Sequence, residues 1–387
     1  MTDFRRQYFP DASIAEWADW RWQMRRRLRT PEDFDRVFEL SETERTAIAH
    51  AADRLPIALT PYYASLMSRT DPEHPLRRAH IPREEEFTIS EGEALDPLGE
   101  ERHATAPGIV HRYPDRVLFL ITNQCPVYCR YCMRSRLVGK LDREHLIPIS
   151  QWEQSIAYIK NNKQIREVLL SGGEPLALGD ERIAWLMAQL DAIAHVEVIR
   201  FSTKTPAILP QRITPALLRA LKTRKPIWMA LHLLHPWEFR PEFVKAAERL
   251  ARAGIILTTQ TPLLKGVNDN AETMQQLMAA CIRHRIRPYY IFQCDPIHGS
   301  AYLRAPIAKG LEIIEALQGS LSGHAVPHYV VDMQGAGKMP LAAQRYIKSE
   351  NGYHHFINFR GEQAQYFDSE FAALYDSKSE IQAARKN

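Results

Sequence analysis

Three cysteines fall within eight residues, in the segment Asn123-Gln124-Cys125-Pro126-Val127-Tyr128-Cys129-Arg130-Tyr131-Cys132. The chain has only five cysteines, and a tight cluster of this kind points to metal. Disulfides that staple small secreted domains use dispersed pairs instead. The spacing is C-x3-C-x2-C, with the aromatic Tyr131 directly before the third thiol. Three thiolates can hold three irons of a cubane cluster and leave the fourth iron open to a chelating ligand. A structural zinc site wants four protein ligands, usually at two-residue spacing, so a residue such as His111 would have to be recruited as the fourth. Cys281 and Cys294 stand apart and read as buried core thiols.

Two further segments carry chemistry. Ser171-Gly172-Gly173-Glu174-Pro175 follows an apolar run, offering bare backbone and one carboxylate at the end of a strand. Gly335-Ala336-Gly337-Lys338 places an amine on a tight glycine turn. A partly desolvated lysine can lose its proton and condense with an aldehyde. The segment is no phosphate-binding P-loop, because Asp332 stands where the first glycine belongs and Met339 follows the lysine. The run Arg25 to Arg29 reads as a solvated helix face, with contact to an acidic partner as the alternative.

These residues need a scaffold. Residues 1–95 read as a helical region: Trp17, Trp20, Met24 and Leu28 recur at helical spacing, and Pro31-Glu32-Asp33 opens a new helix. From about residue 116 short β-branched runs appear at Val117–Thr122, Val168–Ser171, Val198–Ser202, Ile227–Leu231, Ile255–Thr259 and Pro288–Phe292. Amphipathic stretches lie between them at Asp180–Ile193, Pro215–Leu221, Pro241–Ala253 and Ala271–His284. Six βα units predict an α/β fold, an incomplete (β/α)6 barrel over residues 96–300, with a doubly wound open sheet as the alternative. Residues 301–387 form a C-terminal extension and tail that carry Lys338, with strands at Tyr329-Val330-Val331 and His355 to Phe359. In either architecture chemistry gathers at the C-terminal ends of the strands, where the cysteine and glycine segments fall.

The cysteine spacing and the Gly-Gly-Glu segment resemble the radical S-adenosylmethionine (SAM) superfamily. The resemblance sharpens to the lysine 2,3-aminomutase family between about Asp96 and Tyr366. Its blocks here include His111-Arg112-Tyr113-Pro114-Asp115-Arg116, Pro210-Gln211-Arg212-Ile213-Thr214-Pro215 and Leu263-Leu264-Lys265-Gly266-Val267-Asn268-Asp269. Further blocks are Pro288-Tyr289-Tyr290, Gln293-Cys294-Asp295 and Val330-Val331-Asp332. The resemblance implies a [4Fe–4S] cluster on Cys125, Cys129 and Cys132, with SAM at Tyr131, Ser171, Gly172, Gly173, Glu174 and Gln260. It implies pyridoxal phosphate (PLP) carried by Lys338, with Arg112, Arg116 and Tyr290 around it. The implied reaction moves an amino group from carbon 2 to carbon 3. A SAM-derived radical abstracts hydrogen, and PLP stabilises the radical during migration.

By the same resemblance Arg134 binds the substrate carboxylate, while Asp295 and Asp332 hold a distal ammonium group. Two carboxylates around a buried cation would reject a glutamate side chain. Lysine is therefore the expected substrate, with arginine or ornithine satisfying the same charges. Some residues depart from the family pattern: Leu234 stands for a common asparagine, Thr259-Gln260-Thr261 for Asn-Gln-Ser, and Met333-Gln334 for Ala-Pro. These changes are expected at the rim of the active site. His232 and His235 are retained, in either a supporting or a structural role. Asn270 replaces a cysteine that binds a shared structural zinc in relatives, and no cysteine follows Tyr366, so no zinc is expected; an oligomer would form without it.

The implied electron donor is reduced flavodoxin or ferredoxin. A noncatalytic iron–sulfur electron carrier is the competing reading, but it would need neither Lys338 nor Arg134 nor the paired aspartates. A zinc-binding nucleic-acid module is the third reading. The net charge of +4 over 387 residues gives no footprint for nucleic acid. Acids are scattered through Met1–Trp20 and no apolar run reaches membrane-spanning length, so a cytoplasmic protein is expected.

Overall fold

The computed structural model describes residues 2–51, 55–139, 147–342, 346–350, 353–358 and 360–368. Its largest element is a ten-stranded sheet whose spatial order follows the chain. The strands are β1 (Ala104–Ala106), β2 (Ile109–Tyr113), β3 (Arg116–Thr122), β4 (Glu167–Gly172), β5 (Val198–Thr203), β6 (Ile227–His232), β7 (Ile256–Leu263), β8 (Ile286–Gln293), β9 (His328–Met333) and β10 (Gly337–Leu341). From β3 to β9 every pairing is parallel. β1 and β2 fold back antiparallel at one edge, and β10 does so at the other.

The order never reverses, as a doubly wound sheet requires, so that alternative is excluded. No pairing joins β1 to β10 among the described residues, and the sheet is open. β9 is hydrogen-bonded directly beside β8, so Lys338 on β10 rides on the same sheet as the cysteines that follow β3. All six strands read from β-branched runs are present, most of them extended by one to three residues.

Alternation along each strand separates a core face from a cavity face. Phe119 and Leu170 are buried in the core, while Leu118 and Leu169 face the cavity. Helices Asp180–Asp191, Pro241–Arg252 and Ala271–Arg283 cover the core with one apolar stripe each. The last buries Met274, Leu277, Met278 and Cys281, which confirms Cys281 as a core thiol.

The N-terminal segment is built from short helices. The aromatic repeat from Trp17 to Leu28 does not make one continuous helix. Helix Ile14–Trp17 stops, and Asp19 caps a second, Trp20–Arg25, by accepting from the Arg21 amide. Leu28 instead forms a β-bridge with Leu59. The helix expected at Pro31 is present as Pro31–Val37, capped by Thr30. Beyond β10, strands β11 (Tyr346–Glu350), β12 (Tyr353–Ile357) and β13 (Gln363–Phe367) form a separate antiparallel sheet. Phe359, at the end of the expected strand, and the tail from 369 lie outside the described residues. Among the described residues no helix is long and apolar enough to cross a membrane.

Candidate active site

The inner faces of β2 to β9, the loops that follow β3, β4 and β8, and the start of β10 surround a cavity of about 500 Å³. Every residue singled out above for cluster, cofactor or substrate lines it, among them Cys125, Cys129, Cys132, Asp295, Asp332 and Lys338. The three thiols are the only cysteines on that wall. Burial raises each above its ordinary pKa, Cys132 to about 11 with Cys129 adding to the effect. A ligated metal must therefore supply the charge that draws the protons off.

Among the described residues no group of three or more His, Cys, Asp or Glu side chains is arranged for a single metal ion. A cubane makes a different demand, one thiolate at each of three irons. Three wall thiols in a SAM-sized cavity fit that donor set.

The cysteine loop is pinned from the N-terminal side. Arg130 is buried and grips Glu86 through Nε at 2.8 Å and Nη2 at 2.5 Å. It also donates to the carbonyls of Leu55 and Pro56. Tyr302 completes the network by donating to Glu86 at 3.0 Å. His80 is buried below the loop, bonded through Nδ1 to the Leu76 carbonyl at 2.8 Å and 3.6 Å from Cys129 Sγ through Nε2. Because a carbonyl only accepts, Nδ1 carries the proton.

The Gly-Gly-Glu segment has a structural reason to lack side chains. Gly172 has φ +121, and a Cβ there would collide with the Thr122 carbonyl. At Gly173 it would collide with the Gln124 carbonyl and lie 2.8 Å from the Asn123 carbonyl carbon. The amides of Gly173 and Glu174 donate to those two oxygens, at 2.6 and 2.7 Å. The glycines thus clamp the end of β4 against the chain that leads into Cys125. The Glu174 carboxylate accepts from the Lys204 amide at 2.7 Å, the Leu176 amide at 3.2 Å and the Thr203 hydroxyl. Burial still raises its pKa, against the pull of these hydrogen bonds.

At the β9–β10 edge of the sheet, register places Lys338 opposite Asp332. The lysine was expected on a loop; it is the second residue of a strand, and the preceding Gln334-Gly335-Ala336 makes the turn. Its ammonium lies 3.0 Å from Asp332 Oδ2, while Oδ1 accepts from Arg112 at 2.8 Å. Arg112 also holds the Met333 carbonyl, and Arg116 pairs with Asp115 at 2.9 Å. Burial raises the Tyr290 pKa, and the hydrogen bond with the Tyr289 hydroxyl at 3.0 Å adds to it.

Arg134 is not bare. Glu100 takes Nε and Nη2 at 3.0 and 2.7 Å, leaving Nη1 3.3 Å from the Ser171 hydroxyl. Asp295 is pushed up to about 7, first by burial and then by the charge of Asp332, with Lys338 and Arg134 opposing.

Several wall residues escaped the reading of the sequence. Glu100 orients Arg134, and Arg200 pairs with Glu167 at 2.6 Å. Lys204 forms a buried pair with Glu238 at 2.8 Å, which also accepts from Tyr63 at 2.9 Å. None of these belongs to a compact motif, since each partner comes from a distant stretch of chain. His232 lines the wall and bonds Ser202 at 2.7 Å, and its pKa falls to about 4 through burial and the nearby Lys204 and Arg134 charges. His235 instead accepts from the Trp237 amide in a turn.

The departures from the family pattern are mostly not at the rim. Leu234 is fully buried in a satellite cluster with Leu264, Val267, Cys294 and Leu303, against Tyr131. Thr259 and Thr261 are fully buried off the wall, which leaves only Gln260 of that trio facing the cavity. Met333 points to solvent. Asn270 caps helix Ala271–Arg283 by accepting from the Thr273 amide at 2.8 Å. His111 bonds Tyr158 at 2.7 Å.

A parallel sheet that presents a three-cysteine loop after its first parallel strand and a Gly-Gly-Glu clamp after its second defines a radical SAM protein. Residues 119–278 match the family model described as Radical SAM superfamily. The chain is 42% identical over 367 residues to an L-lysine 2,3-aminomutase of Fusobacterium nucleatum, covering 95% of this chain and 86% of that one. It is 42% identical over 351 residues to that of Clostridium subterminale, covering 91% and 84%. A glutamate 2,3-aminomutase of Clostridioides difficile is 37% identical over 339 residues, covering 87% and 80%. The chain belongs to the L-lysine 2,3-aminomutase family, a group of isomerases.

Proposed function

We propose that this protein is a 2,3-aminomutase acting on L-lysine and giving β-lysine, with a [4Fe–4S] cluster, SAM and PLP sharing the one cavity. The observation that carries the reading is the set of groups on that one cavity: three thiols, Arg134 whose charge acts on both Cys132 and Asp295, and the mutually repelling Asp295 and Asp332. When bound, the cluster with SAM supplies a carbon radical able to take an unactivated hydrogen, and PLP supplies the conjugated system across which nitrogen shifts.

The chain's own residues hold and orient. Cys125, Cys129 and Cys132 would hold the cluster, and Tyr131, Ser171, Gly172, Gly173, Glu174 and Gln260 would hold SAM. Lys338 would carry PLP, with Arg112 and Arg116 as the cations for its phosphate and Tyr290 as a further contact. Arg134 keeps its orientation through Glu100 and offers Nη1 to the substrate carboxylate. Asp295 and Asp332 receive the distal ammonium. A glutamate side chain would set a third carboxylate beside Asp295, already resisting ionisation next to Asp332. We read the open sheet as a partial (β/α)6 barrel of the radical SAM type. The setting is the cytoplasm, with reduced flavodoxin or ferredoxin as electron donor.

The test is an anaerobic assay of reconstituted protein with SAM, PLP and dithionite, offering L-lysine, L-arginine, L-ornithine and L-glutamate separately. Chiral chromatography with mass detection should find a β-amino acid from lysine. Turnover of glutamate instead would refute the roles of Asp295 and Asp332.

A further inference from the structure

Residues 13–30 carry five arginines against two carboxylates, Glu16 and Asp19. Arg25, Arg26 and Arg29 are exposed. Arg27 turns inward: its Nε donates to the Met24 carbonyl at 3.0 Å and its Nη1 to the Cys125 carbonyl at 2.7 Å. A basic surface is therefore joined through one side chain to the backbone of a cysteine on the cluster wall. Of the run Arg25 to Arg29 only Arg25 lies on helix Trp20–Arg25, so the run expected as a solvated helix face is instead mostly a segment beyond it. A segment that served only solubility would have no need of that link.

The radical SAM reading, on which this inference rests, requires one electron from outside for each activation of the cluster. We propose that the arginine surface around Arg25 and Arg26 is the docking site of an acidic one-electron carrier protein. The carrier is oxidised by one electron and the cluster reduced by one, with no atom exchanged. Arg27 and its hydrogen bond to Cys125 lie on the route between the surface and the cluster. The exposed Arg21, Arg25, Arg26 and Arg29 steer an acidic partner toward this face, and the attraction is screened within roughly 8–10 Å at physiological salt. Such complementarity acts mainly on the association rate.

The experiment is anaerobic stopped-flow reduction of the reconstituted cluster by reduced flavodoxin, an acidic flavoprotein. Wild type should lose about tenfold in second-order rate between roughly 20 and 300 mM salt. The pair Arg25→Glu/Arg26→Glu should be slower by about tenfold at low salt, with a flattened salt dependence, and Arg25→Gln/Arg26→Gln should fall between. Reduction by dithionite, followed at high salt to screen its own charge, should be equal in all three proteins. Equal rates with flavodoxin at low salt, or a dithionite rate that falls in step with the flavodoxin rate, would overturn the docking site. A reconstituted wild type with no reducible cluster would overturn the reading of the cysteines, and the docking site with it.

Discussion

Asp295 gives the sharpest handle on substrate choice. Its carboxyl is held near 7 by burial and by Asp332, so close to neutral pH it is only partly ionised. A distal ammonium needs the ionised form. Protonating a group of pKa about 7 should therefore weaken lysine binding by about tenfold between pH 8 and pH 6, since one pKa unit corresponds to a factor of ten. KM for lysine should rise by that factor as pH falls, and binding near pH 7 should release a proton. Asp295→Asn should raise KM at pH 8 and remove most of the pH dependence. Stability should respond in the opposite sense. The folded-state pKa lies above the ordinary 3.8, so the favourable contribution is complete below about pH 4 and is lost as pH rises through 7. Asp295→Asn should thus melt higher than wild type at pH 8 without substrate, the gap closing toward pH 4. Anaerobic kinetics across pH 6 to 8 and calorimetric melting without substrate measure both. A KM that stays flat in wild type, together with an unchanged KM in Asp295→Asn, would refute the assignment.

Other perturbations separate the parts of the site. Gly173→Ala should lower iron content after reconstitution, because its Cβ collides with the backbone entering Cys125; iron analysis and melting temperature report it. Arg130→Met should cost about 3–5 kcal/mol by stranding the buried Glu86 charge, read by denaturant unfolding. Lys338→Ala should abolish absorbance near about 420 nm after PLP addition while leaving the cluster spectrum intact. Leu234→Asn, which restores the residue common in relatives, should destabilise by about 1–3 kcal/mol and leave substrate preference unchanged, as comparative melts and the four-substrate assay would reveal.

The strands and most helices were legible because their patterns are local. Val168 and Leu170 alternate with wall residues, and Met274, Leu277, Met278 and Cys281 recur at helical spacing. The Trp17–Leu28 repeat had the same helical period yet broke, because Asp19 offered a better local cap than a continued turn. The rim was misjudged for a different reason. Gln260 and its neighbours Thr259 and Thr261 are adjacent in sequence but point to opposite faces of β7, and only register decides which face meets the cavity. Glu100 and Glu238 were invisible because their partners, Arg134 and Lys204, lie more than thirty residues away.

The sheet's unbroken order explains how such distant residues share one cavity. Parallel strands present their C-terminal ends on one side, so each βα unit can add one functional group to a common wall. Lys338 arrives differently, at the N-terminal end of β10. An antiparallel strand is the device that brings it there: reversing the chain after Met333 sets the first residues of β10 beside the last of β9. Had β10 continued the parallel pattern, its lysine would lie at the opposite end of the strands, beside the start of β9 and several residue lengths from Asp332. The glycines around Ala336 therefore matter less for exposing an amine than for a reversal tight enough to make Lys338 and Asp332 register partners. The site needs that turn as much as it needs the lysine.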